Sequence, residues 1–239
     1  KPLDPSHRPK SRPWTLAMAD LPRHASEAEL KAAIDAPKGK SSKAKADALL
    51  GATDAYLQQG DVTEAVVAAR EALATFRELS NKPSEAQALR MLAKANTASL
   101  SYLEALQAAN QSLKIFKDQG DKKGVAAATL VVAQAHLSKQ SPEDAIWKAK
   151  EAVKAYKALG DKAGEGVALE TVVKCCSMRH DFQLGADMAK AAVDLAKDTK
   201  DVVSEGIRLC LFSELRTSED KPEEAVQLGK EAMSKAQDK

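Results

Sequence analysis

The sequence predicts an all-α solenoid built from five repeats of forty residues. Three observations predict it: a helix-rich composition, a self-similarity at a fixed offset, and turn signals that divide each period in two. Ala, Leu, Lys and Glu dominate the 239 residues, and aromatics make up only 4%. Alanine and straight-chain residues lose the least side-chain freedom in a helix. Few aromatics mean a thin core closed by small residues, which suits stacked helix pairs better than a compact globule.

The repeat runs from residue 41 to the end without insertion or deletion, as units 41–80, 81–120, 121–160, 161–200 and 201–239. Phe76, Phe116 and Tyr156 fall in register, continued by Ala196 and Ala236. Leu73, Leu113, Val153, Val193 and Met233 form a second column, and Ala65, Ala105, Ala145, Gly185 and Ala225 a small one. Another small column reads Ala72, Ser112, Ala152, Ala192 and Ala232. A period of this size is the signature of a stacked array.

Each unit reads as two helices. In the second unit, residues 83–99 carry Ala88, Leu89, Leu92 and Ala95 at helical spacing, and residues 102–119 repeat the pattern through Leu103, Leu106, Leu113 and Phe116. Asp61 with Glu64 and Ser101 with Glu104 have capping-box spacing. Pro142 after Ser141 sits where a first-turn proline costs nothing. Gly60, Gly120 and Gly160 stand where a left-handed residue ends a helix.

Residues 1–40 differ in kind. Pro2, Pro5, Pro9, Pro13 and Pro22, with Arg8, Lys10, Arg12 and Arg23, describe an extended basic arm. Trp14, Leu16 and Met18 interrupt it with an apolar patch, which suggests docking on this array or on a neighbour, and residues 26–35 read as a short helix.

The small columns, the aromatic-or-proline column Tyr102, Pro142, Phe182 and Pro222, and the Gly120-Asp121 and Gly160-Asp161 turns resemble the tetratricopeptide repeat. That family's usual period is about 34; the longer unit resembles the branch seen in Pins-type adaptors and kinesin light chains. The glycine expected in the first helix is replaced by Thr53, Ala93, Ala133, Val173 or Ser213. The resemblance implies a right-handed α-solenoid that binds a partner peptide or helix along a concave groove lined by the first helices. Carried onto this chain, the groove would present Asp54, Arg90, Lys94, Gln134, Glu170, Lys174 and Glu214. Arg90 and Lys94, four apart on one face, suit a single acidic group. The asparagines of the chaperone-binding clamp are missing, with Asp54, Met91 and Val131 in their places, which argues against Hsp70 or Hsp90 as partners.

Trp147 stands in a mostly polar column with Val67, Gln107, Asp187 and Gln227, so an outward-facing anchor for a partner or for the arm is expected. Cys176 and His180 have metal-compatible spacing but no second ligand pair, and Cys175 and Cys176 read as structural thiols. No catalytic motif is present, and neither an enzyme, a cofactor nor a metal is expected. A net charge of +2 with mingled signs argues against a nucleic-acid reader, which is the alternative reading, since the groove columns lack a recurring polar code. No apolar run reaches the roughly 18–20 residues of a membrane span. Three cysteines without a CxxC pair favour a reducing compartment, cytoplasmic or an organelle interior after loss of a targeting segment. The leading expectation is a protein-binding scaffold or adaptor, a peripheral subunit of a larger assembly.

Overall fold

The computed structural model describes residues 43–237. The arm, with Trp14 and the short helix expected at 26–35, lies outside the described residues. Within them the chain forms α1 Lys43–Gln59, α2 Val62–Glu78, α3 Lys82–Ala98, α4 Tyr102–Asp118, α5 Lys122–Ser138, α6 Pro142–Leu159, α7 Lys162–Arg179, α8 Phe182–Thr199, α9 Val202–Ser218 and α10 Pro222–Gln237.

A left-handed residue ends every helix but the last, at each twentieth position from Gly60 to Asp220. At all nine turns the N–H of the next residue donates to a carbonyl five residues back, as Asp61 does to Tyr56 at 2.9 Å and Asn81 to Phe76 at 3.0 Å. That bond closes the last turn of the helix and satisfies a carbonyl that would otherwise be orphaned. Gly60, Gly120 and Gly160 take the turn position as expected, but Ser80, Leu100, Gln140, His180, Lys200 and Asp220 hold the same conformation with φ of 53–61°.

The capping boxes expected at Asp61 and Ser101 do not form: neither side chain accepts a bond from the first turn, nor does that of Ser141. The caps lie instead at Asn81, Asp121, Asp161, Asp181 and Asp201, each accepting the amide three residues on. The hydroxyl of Ser101 is one bond shorter in reach than an Asp or Asn oxygen, and it accepts from Ser99 instead, at 3.1 Å.

Packing follows the columns. Ala65, Ala105 and Ala145 are fully buried, so paired helices approach closely. Phe76 and Phe116 fill the junction to the next unit. There the Phe116 ring occupies the space a Cβ on Gly124 would need, and the Tyr156 ring does the same at Gly164. Each second helix thus packs on the first helix of the following unit. The first helices also touch one another, α1 with α3, α3 with α5, α5 with α7 and α7 with α9, while among the described residues the second helices do not. The array therefore curves with the first helices on its inner face.

Candidate protein-interaction groove

The inner layer carries two columns one helical turn apart: Leu50, Arg90, Leu130, Glu170 and Cys210, and then Asp54, Lys94, Gln134, Lys174 and Glu214. Arg90 and Lys94 sit together on α3, both half-buried, and Gln134 on α5 is half-buried beside them. Among the described residues neither cation has a hydrogen bond or an ion pair.

Their electrostatics follow from that position. Burial holds the Arg90 guanidinium below its ordinary value, against the opposing pull of Tyr156 and Asp54. Burial likewise lowers Lys94, helped by the like charge of Arg90 and opposed by Asp54. Tyr156 is pushed up by burial and by Asp161, and eased down by Arg90. Asp54 on α1 and the two cations on α3 thus share one field, which the Tyr156 phenol on α6 joins only when ionised in alkali. Desolvated cations without a hydrogen-bonded counter-charge are unfavourable, and an incoming carboxylate would relieve them.

Glu170 has a different position from the one its column suggests. The Arg208 guanidinium on α9 donates to Glu170 Oε1 at 2.9 Å and to the Ala192 carbonyl at 3.1 Å. Arg208 is buried, and Gly166 on α7 leaves the room its guanidinium occupies. This carboxylate joins two repeats. Lys174, one turn along α7, is exposed.

Trp147 lies on α6, in the outer layer, with 65% of its surface exposed; burial between second helices is thereby ruled out. Lys148 Nζ stands 4.1 Å from its ring centroid and pairs with Glu151 at 2.9 Å. The groove cations and Trp147 belong to opposite layers.

Cys175 and Cys176 are fully buried, with burial pushing their thiols up to about 12 and about 11. His180 is the exposed left-handed residue at the turn, its ring edge-on to Phe182 at 5.6 Å, so it does not converge with Cys176. The described residues hold no group of three or more His, Cys, Asp or Glu set to bind a metal. No helix among them is long and apolar enough to cross a membrane.

Two contributors were missed in the sequence. Arg208 was detectable, because its column otherwise reads Ala48, Ala88, Ala128 and Ala168, and Gly166, with Gly206 after it, replaces the alanine of the column Ala46, Ala86 and Ala126. Tyr156 gave no such signal, since its column is a core column.

The architecture recurs in solved structures. A Rap protein complexed with competence and sporulation factor aligns with a TM-score of 0.73 at 13% identity, over 88% of this chain and 60% of that one. BtubC from P. vanneervenii gives 0.67 at 16% identity, over 81% and 80% of the two chains. A putative kinesin light chain from Podosopora anserina, described by its TPR-like repeats, gives 0.66 at 15% identity over 81% and 95%. The fold is the tetratricopeptide-type solenoid. No protein-family model matches the sequence, and no curated protein matches it. At these identities the likeness concerns the solenoid alone.

Proposed function

We propose that the protein is an interaction scaffold whose inner groove takes an acidic segment of a partner protein, with Arg90 and Lys94 as the anchoring cations. The observation that carries this reading is a half-buried pair of like charges on α3 with no hydrogen bond or ion pair among the described residues. Such a pair costs stability in the free protein, and a bound carboxylate offsets that cost, most strongly through charge-assisted bonds to arginine. Gln134 and Lys174 extend the polar contact surface along the groove, while Glu170 supports it through Arg208. Trp147 provides a second, outward-facing anchor of the kind that dominates interfaces when covered. That a similarly folded Rap protein was solved with a bound factor supports the general mode. The groove columns carry no recurring polar code, and the net charge is only +2, which disfavours a nucleic acid as ligand.

The test is fluorescence anisotropy with a labelled glutamate-rich peptide and a lysine-rich one of equal length. The glutamate-rich peptide should bind more tightly and lose about tenfold or more in affinity when Arg90→Ala and Lys94→Ala are combined, the scale of one charge-assisted hydrogen bond. Equal binding of both peptides, or an unchanged constant in the double variant, would refute the reading.

A further inference from the structure

The inner layer carries two further columns, about one and two turns before the groove residues, and both change character along the array. From α1 to α9 the nearer one reads Asp47, Gln87, Ala127, Val167 and Ile207, and the farther one Lys43, Pro83, Lys123, Ala163 and Val203. The groove is therefore polar where α1 and α3 line it and aliphatic where α7 and α9 do. Ala163 and Val167 lie four apart on α7, as Val203 and Ile207 do on α9, so each pair shares a helix face. All four are exposed. Single exposed aliphatic side chains are ordinary on a protein surface, but a contiguous group of them marks a contact surface.

This exposure does not come from the end of the array. Ile207 on α9 is 44% exposed, and among the described residues no first helix follows α9. Val167 is 40% exposed although α9 is packed beside α7. A following first helix therefore leaves this column open.

Between the two helices opens a cavity of about 290 Å³, walled by Ala163, Val167 and Ile207, with Glu170 and Arg208 at its base. The charged groups that line it already have partners. Arg208 pairs with Glu170 at 2.9 Å, Lys162 lies 3.9 Å from Asp198, and Asp201 accepts from the Ser204 amide at 3.0 Å. The cavity thus asks for no counter-charge, and its aliphatic walls gain most by covering an apolar group. Its volume lies just under the roughly 300–1,000 Å³ of small-molecule sites, which suits one side chain of a larger partner better than a whole small molecule.

We propose that this cavity is the apolar subsite of the groove, taking a leucine, isoleucine or valine of the same partner segment whose acidic residues meet Arg90 and Lys94. It deepens the scaffold reading and rests on it for the place of the acidic residues. The first helices touch in succession, α3 with α5, α5 with α7 and α7 with α9. Packed helices stand about 8–10 Å apart, so the two and a half steps from α3 to the cavity span about 20–25 Å. An extended segment, rising about 3.3 Å per residue, covers that span in about six to eight residues. The partner is thereby specified as an extended segment with an acidic pair and an aliphatic residue about seven positions away.

The test is fluorescence anisotropy with three labelled peptides of equal length built around one glutamate pair. The first has leucine seven residues from the pair on each side, so that either chain direction is served. The second has serine at both places, and the third has both leucines moved beside the pair. Each is titrated into the parent protein, Val167→Ser/Ile207→Ser and Arg90→Ala/Lys94→Ala, once circular dichroism shows that the variants keep the parent's helix content. On the parent, the spaced leucines should bind about tenfold more tightly than the serines, the scale of covering one aliphatic side chain. The displaced leucines should gain no such advantage, and in Val167→Ser/Ile207→Ser the ratio of leucine to serine binding should fall to near unity. An undiminished ratio in that variant, or an equal advantage for the displaced leucines, would overturn the proposal. Failure of the charge reading looks different: the serine peptide would bind the parent and Arg90→Ala/Lys94→Ala equally, and the leucine ratio would still decide for or against the cavity.

Discussion

Arg208 Nε lies 2.9 Å from Glu170 Oε1, a buried charge pair between α9 and α7 at a position where four other units have alanine. A charged side chain enters a column of small residues only where space and a counter-charge are both provided. Gly166 gives the space and Glu170 the charge.

Breaking the pair from one side should be costly. Glu170→Ala leaves the Arg208 cation buried without its partner and should lower stability by about 3 kcal/mol. Gly166→Ala should also destabilise, because the guanidinium is pinned by Glu170 and Ala192 and has nowhere to move. In an Arg208→Ala background the same Gly166→Ala change should become neutral or favourable, since alanine is better than glycine in a helix by about 1 kcal/mol. Urea unfolding of the four variants, read as a double-mutant cycle, checks this.

The left-handed turns offer a stabilising change. Leu100 holds φ of 60° and is 64% exposed, so it carries backbone strain and contributes little packing. Leu100→Gly should raise stability by about 1 kcal/mol, the order of the left-handed penalty less the added freedom of the unfolded chain. A thermal melt reads it directly. No gain would mean that the exposed leucine contributes contacts outweighing its strain.

Stability should fall in alkali through the paired thiols. Burial raises Cys175 to about 12 and Cys176 to about 11, above the ordinary value of 9.0 for an unfolded thiol. Between roughly pH 9 and 11 the unfolded chain therefore loses these protons while the folded one keeps them. Folding then weakens as pH rises, with a slope of up to about 1.4 kcal/mol per pH unit for each thiol. Cys175→Ala/Cys176→Ala should flatten that slope in denaturant titrations. In the native protein near neutral pH, neither thiol should react with iodoacetamide.

Trp147→Ala should leave the melting temperature almost unchanged, because the ring is mostly in water, with the Lys148 ammonium in cation–π contact with it. Its effect should appear in partner capture alone. A large drop in melting temperature would instead assign the ring a packing role.

The groove cations should trade stability for binding. Lys94→Met removes a half-buried charge beside Arg90 and keeps the apolar stem, so it should raise the melting temperature while weakening the glutamate-rich peptide. A variant that binds normally and melts lower would contradict the placement of the cost.

The fold was legible in the sequence because it is periodic. Twenty-residue spacing set the helix ends to within a residue or so, and Gly60, Gly120 and Gly160 marked three of the nine turns. The six other turns were hidden, since Ser80 or Leu100 gives no local hint of a left-handed backbone; only the period places them. The caps at Asp61 and Ser101 were misread because spacing alone does not show whether a side chain can reach its amide. Arg90 and Lys94 were found by column, and their lack of hydrogen-bonded counter-charge was not, because that depends on which elements surround α3. Arg208 was overlooked although it stood out in its column as plainly as Trp147 did.

If charge at Arg90 and Lys94 selects the partner, reversing that charge should reverse the preference. That reversal is the most direct measurement: Arg90→Glu/Lys94→Glu is titrated with the glutamate-rich and lysine-rich peptides at two ionic strengths. The double variant should keep its helix content, lose the acidic peptide and gain a salt-sensitive preference for the basic one. An unchanged preference for the acidic peptide in a folded variant would contradict it, and would move the binding surface away from the groove.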